Sequence, residues 1–238
     1  MSRKDGMNLP KSLFDVLLDA FGAQHWWPID TTYHQSRKSD PGFEIIIGAI
    51  LTQNTAWTNV EKAIQNLKKH NALTLQRIND LDDDSLKTFI QTSGFFNQKA
   101  QRLKLFSSYL LKNYQGDLKT FFSRDTVEIR QELLSLSGIG PETADSILLY
   151  AGNHPVFVID AYTKRICQRY PFPVNSDSYE ELRSFFEESL IETLPKNTLV
   201  STYKELHALL VTLAKEFCRK TQPRCQACPL TDSCQKLF

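Results

Sequence analysis

Apolar residues recur at helical spacing along almost the whole chain, and no segment alternates apolar with polar residues at period two. Without that alternation no half-buried strand is encoded, so the periodicity predicts an all-α fold. Leu13, Phe14, Leu17, Leu18 and Phe21 share one face over 11–21, and 43–51 opens a second, more thoroughly apolar helix. Amphipathic stretches follow at 58–70, 83–92, 98–113 and 118–122. Asp125-Thr-Val-Glu128 reads as a capping box for a helix ending near Leu136. A further helix starts at Pro141 with Ala144, Ile147, Leu148 and Ala151 on its buried side. Residues 156–159 form a short extended run, Asp160 opens a helix to Arg169, and 178–190 and 199–217 complete the set. Residues 28–42, rich in Thr, Ser, Asp and Pro, read as a loop or linker.

A chain of 238 residues has room for one large domain or two small lobes. Hydrophobic residues at 41% and charged residues at 23% exclude a disordered chain. The longest apolar run, Ile45–Leu51, is interrupted by Gly48 and falls far short of the roughly 20 residues of a membrane span. No apolar segment of the signal-peptide kind follows the charged Met1-Ser-Arg-Lys-Asp-Gly6, so a cytoplasmic protein is expected. The net charge, 28 − 27 = +1, neither demands nor excludes a polyanionic partner. Its distribution is uneven: Lys87, Lys99, Arg102, Lys104 and Lys112 occur with no acid between them, just after Asp80, Asp82, Asp83 and Asp84.

Four of the five cysteines cluster at the C-terminus as Cys218-x6-Cys225-x2-Cys228-x5-Cys234. In a reducing compartment such a cluster is a metal site, and thiolates so spaced can hold Zn²⁺ or a [4Fe-4S] cube. Cys167 stands apart and reads as a small buried hydrophobe. Gly138-Ile139-Gly140 lies between two helices, with Thr143 in the first turn of the second. Such a hairpin is either an ordinary tight turn or a phosphate-binding element that presents backbone amides from a helix N-terminus.

A helix-hairpin-helix followed by the apolar run Val156–Ile159 and then Asp160 resembles the helix-hairpin-helix DNA glycosylase superfamily. The four-cysteine tail is similar to the iron-sulfur motif of its endonuclease III branch. Leu51-Thr-Gln-Asn-Thr55 resembles the duplex-probing loop of that branch, and Gly94-Phe-Phe-Asn-Gln-Lys-Ala100 precedes a basic helix as it does there. Trp26-Trp27-Pro28 and Ser93–Lys99 bring the chain nearest to the 3-methyladenine DNA glycosylase III group, and the resemblance spans residues 12–238. It implies a bilobal all-α fold. The expected division is a six-helix barrel over 44–144, ending in the hairpin, with 1–43 and 145–238 forming a lobe that carries the cluster. The implied partner is double-stranded DNA containing a damaged base, bound by a monomer without a membrane role and associated with the nucleoid.

Departures from the family narrow the chemistry. Glu142 stands where bifunctional endonuclease III enzymes carry their lysine nucleophile, and a carboxylate cannot form a Schiff base with an abasic sugar. Only Gly48 and Ala49 occur where the adenine-specific mismatch enzymes place a glutamate acid. What remains is Asp160, either a helix N-cap or the carboxylate that stabilises oxocarbenium charge and directs water. That suffices for a base alkylated at a ring nitrogen, which already carries positive charge and departs without prior protonation. Trp26, Trp27 and Trp57 would line an aromatic pocket for such a base or belong to the core. Gln53 would enter the gap left by the extruded nucleotide, or sit at the surface. Lys99, Arg102, Lys104, Lys215, Arg219, Lys220 and Arg224 would meet phosphates. The expected activity is therefore a DNA N-glycosylase without lyase chemistry. Its rivals are a glycosylase for another lesion and a non-catalytic iron-sulfur protein that binds damaged DNA.

Overall fold

The computed structural model describes residues 9–235, and among these the regular elements are all helical. No helix of the described residues is long and apolar enough to cross a membrane. The chain forms two compact units, one of residues 27–154 and one of 1–26 with 155–238.

The contiguous unit holds α2 (Thr31–Arg37), α3 (Pro41–Leu51), α4 (Trp57–Lys69), α5 (Leu75–Asp80), α6 (Asp83–Ile90), α7 (Phe96–Tyr114), α8 (Leu118–Phe122), α9 (Thr126–Ser135) and α10 (Pro141–Ser146). Its centre is α3, in which every residue from Phe43 to Leu51 is buried. Asp40 caps α3 by accepting from the Gly42 amide at 2.7 Å, and Pro41 occupies the first helical position. Asp125 caps α9 through the Val127 and Glu128 amides, one half of the capping-box pattern, while the Glu128 carboxylate pairs with Arg124. A single π turn at Ile147–Ala151 continues α10 and packs on α3.

Residues 28–42 are not a linker. Asp30 caps α2 by accepting from the Tyr33 amide, and α2 buries His34 against α3. There Glu44, itself buried, receives His34 Nε2 at 2.7 Å and Lys68 Nζ at 2.8 Å. A buried carboxylate needs such partners, and the polar composition that suggested a loop supplies them. The compact units divide at 26/27 and 154/155.

The discontinuous unit holds α1 (Pro10–Phe21), α11 (Ala161–Arg169), α12 (Tyr179–Thr193) and α13 (Leu199–Glu216). Helix α13 is its spine, buried along Leu206–Val211 and packed by α1 and α11. Phe157 stacks on Phe186 at 4.4 Å and meets Tyr203 edge-on, anchoring the extended run 156–159 in this core.

Candidate active site

Asp160 is the N-cap of α11, and its Oδ1 accepts from the Thr163 amide at 2.7 Å. Its side chain is 13% exposed, and Oδ2 lies 3.6 Å from His207 Nε2 on α13. Burial pushes this carboxyl up, but His207 and the Thr163 bonds outweigh that and hold it below the usual carboxylate range. The cap and the low-lying acid are thus the same group. His207, which the sequence reading did not select, is buried and meets Trp26 edge-on at 6.0 Å. A single histidine between Leu206 and Ala208 on an apolar helix carries no signal beyond its own presence.

The adjacent tryptophans part: Trp26 belongs to the discontinuous unit and Trp27 to the contiguous one. Trp27 packs edge-on to Trp57 at 5.2 Å and 86°, and to Tyr150 at 5.3 Å. Rings so crossed leave no parallel slot, so Trp27 and Trp57 do not form a ready-made sandwich for a planar base. The Trp27 indole instead covers Gly48, where an added Cβ would stand 2.9 Å from its Cζ2. The missing side chain on α3 is therefore the space the indole occupies. Trp57 also lines a cavity of about 390 Å³ with Pro28, Glu61 and Lys68.

The hairpin joins α9 to α10. Gly138 has φ +85°, in the left-handed region where glycine is favoured. A Cβ there would lie 2.2 Å from Arg102 Nε, so the position also requires a missing side chain. Ile139 and Thr143 are buried, whereas Gly138, Gly140, Pro141 and Glu142 are exposed. Beneath the turn, Arg130 of α9 clamps the fully buried Asp145 of α10 at 2.7 and 3.1 Å.

Gln53 is drawn onto this hairpin. Its amide donates to the Gly138 carbonyl and the Thr143 hydroxyl, both at 2.9 Å, while Arg102 donates to its Oε1. The basic row expected on α7 is not offered to phosphate. Lys99 is fully buried, Arg102 is engaged with Gln53, and Lys104 reaches the Leu81 carbonyl and Asp83. Each of these cations satisfies protein oxygens that the neighbouring loops would otherwise leave bare. Lys215, Lys220 and Arg224 are exposed. A residue the sequence reading passed over is Phe95, 63% exposed on a left-handed backbone with φ +45° at the start of α7. Its signal was a large apolar residue next to Gly94 and outside any helical stripe.

Cys218, Cys225, Cys228 and Cys234 line one apolar cavity with Leu213, Phe217 and Leu230. Among the described residues no three His, Cys, Asp or Glu groups converge closely enough to hold a single metal ion. Four soft sulfur donors around a shared apolar space suit a thiophilic centre, Zn²⁺ or an iron-sulfur cluster. Arg165 and Arg169 brace the loop by donating to the carbonyls of Cys218, Arg219 and Lys220. Cys167 is buried outside this set, and burial raises its thiol to about 12.

Comparison with known proteins matches residues 47–191 to the HhH-GPD superfamily of base excision DNA repair proteins. A Methanocaldococcus jannaschii protein bearing the name of a DNA repair glycosylase is 43% identical over 93% of this chain and 94% of its own. Endonuclease III of Haemophilus influenzae is 31% identical over 81% of this chain and 83% of its own. Among solved structures, Helicobacter pylori 3-methyladenine DNA glycosylase bound to 1,N6-ethenoadenine is 29% identical. It aligns at TM-score 0.64 over 85% of this chain and 97% of that one. A trapped endonuclease III-DNA covalent intermediate, at 22% identity, shares the fold at TM-score 0.75 over 99% of this chain and 97% of that one.

Proposed function

The chain belongs to the HhH-GPD superfamily of base excision DNA repair proteins and is a DNA glycosylase, and from that premise we propose that it is monofunctional, hydrolysing the N-glycosidic bond of a cationic alkylated base without cutting the strand. N3-methyladenine represents the substrate class. The observation that carries this reading is Gly48 under the Trp27 indole. That position supplies no acid to protonate a leaving base, which supports a ring-alkylated base that departs unprotonated. Glu142, exposed at the place of the lyase lysine, supports the second half, because Schiff-base chemistry demands an amine. The likeness to the Helicobacter pylori 3-methyladenine enzyme supports the substrate class.

In this mechanism the C1′–N bond breaks and its electron pair neutralises the departing cationic ring. Asp160, kept ionised by His207 and Thr163, faces the oxocarbenium charge left on the sugar and orients water onto C1′. Gln53, once released from its bonds to Gly138 and Thr143, and the exposed Phe95 would enter the duplex where the nucleotide has left the stack, an amide to pair the orphaned base and an apolar wedge to hold the kink. Trp57, which lines a cavity, would offer the extruded cation a π face. The cysteines would hold a [4Fe-4S] cluster, which supplies folding energy to its loop and takes no part in hydrolysis. Base release is to be measured from duplexes carrying alkylated, oxidised, deaminated or mismatched bases. Release of cationic alkylated bases alone is expected, with strands intact until alkali is added. Preferential release of a neutral oxidised base would overturn the proposal.

A further inference from the structure

The loop after α3 carries Gln53 and the turn before α7 carries Phe95, and one buried charge joins them. Lys99, in the first turn of α7, is 0% exposed. Its ammonium donates to the Leu51 carbonyl at 2.8 Å, the Thr55 hydroxyl at 2.7 Å and the Ser93 carbonyl at 2.6 Å. All three of its protons are thereby engaged, two on the segment flanking Gln53 and one on the turn leading to Phe95. The Thr55 hydroxyl itself donates to the Ser93 carbonyl at 2.5 Å, closing the triangle.

None of the three acceptors is a carboxylate, so the ammonium is buried against dipoles alone. That is a costly way to fill space. A methionine would occupy the same volume without the desolvation penalty, which makes packing a poor reason for a lysine at this place. What an ammonium can do and a methionine cannot is tie separate backbone segments to one point.

We propose that Lys99 is a positioning residue whose buried ammonium clasps the Gln53 loop to the Phe95 turn, so that the two probing side chains meet the duplex as one rigid unit. This rests on the glycosylase reading of the loop and the turn. Burial, assisted by the positive Arg102 on the same helix, brings the ammonium down from 10.5 to about 8. The groups facing it from the other two segments, Thr55 and the Leu51 and Ser93 carbonyls, are neutral. Above that pH a neutral amine has two protons for three acceptors, and the clasp opens. Global stability moves the other way. The folded value lies below the unfolded one, so this group's contribution to stability rises with pH between about 8 and 10.5.

Binding is to be followed by fluorescence anisotropy on a duplex carrying a tetrahydrofuran abasic analogue and on the same duplex undamaged, from pH 6.5 to 9.5. For the native protein, preference for the abasic analogue should fall about tenfold with a midpoint near 8 while thermal stability does not fall with it. Lys99→Met should be at least about tenfold weaker on the analogue at pH 7, show no inflection near 8, and melt no lower than the native protein. Thr55→Val, which removes one acceptor and leaves the lysine, should lower the preference with the inflection retained. Native-like preference in a folded Lys99→Met, or the same midpoint in it, would overturn the proposal. If Lys99→Met does not fold, unchanged preference in Thr55→Val overturns it. A native protein that prefers the analogue but shows no inflection also overturns it, leaving the glycosylase reading standing. One with no preference at any pH overturns both.

Discussion

The Asp160 carboxylate gives one oxygen to the Thr163 amide and turns the other toward His207, 3.6 Å away. Asparagine caps a helix as well as aspartate does, so Asp160→Asn should fold and still bind lesion DNA while base excision falls by about 10²–10³-fold or more. Single-turnover release measures this, and near-native turnover would reduce Asp160 to a cap. Because its folded value lies below 3.8, the group's contribution to stability is complete above that pH and lost only as pH falls through the lowered value. Excision should therefore show no acid limb from Asp160 between pH 5 and 7. Gly48→Ala tests the contiguous unit separately. Its Cβ would meet Trp27 at 2.9 Å, so it should displace the indole and slow excision while affinity for an abasic analogue holds. Equal loss of both would make Trp27 ordinary packing. Asp160 was legible because a carboxylate after Val156–Ile159 has a family place, whereas His207 and the crossing of Trp27 on Trp57 depend on contacts between distant segments that no local spacing encodes.

At the scale of elements, the helices that use their own periodicity and caps were readable: 118–122 is helical as expected, and α9 and α11 begin at their expected caps. Helix α2 was not, because its polar residues acquire meaning only beside Glu44 and Lys68, which belong to later helices. The basic row on α7 misled for the same reason: sequence shows charge but not which carbonyls will surround it. The helix-hairpin-helix depends on one buried pair. Arg130→Met leaves the Asp145 carboxylate buried without that counter-charge, and should cost about 3–5 kcal/mol in denaturant unfolding. Gly138→Ala should cost about 1–2 kcal/mol from its positive φ alone, and should weaken DNA binding by disturbing the seats of Arg102 and Gln53. Borohydride should trap no covalent adduct with abasic DNA, since the first turn of α10 carries Glu142 rather than an amine.

For the whole molecule, the cysteine loop predicts a yellow-brown protein containing iron, and anaerobically prepared protein with stoichiometric zinc alone would contradict it. Cys225→Ser should lower the melting temperature, because a cluster closes a loop that has little core of its own. The division of the chain has a separate consequence during synthesis. Residues 27–154 are contiguous and can close as soon as they leave the ribosome, but α1 packs on α12 and α13, which are made last. At roughly 5–20 residues per second that delay is on the order of ten seconds or more. Throughout it the apolar face of Leu13 and Leu17 lacks its packing partners, so the discontinuous unit, rather than the inserted one, is where a holdase would first act on this chain.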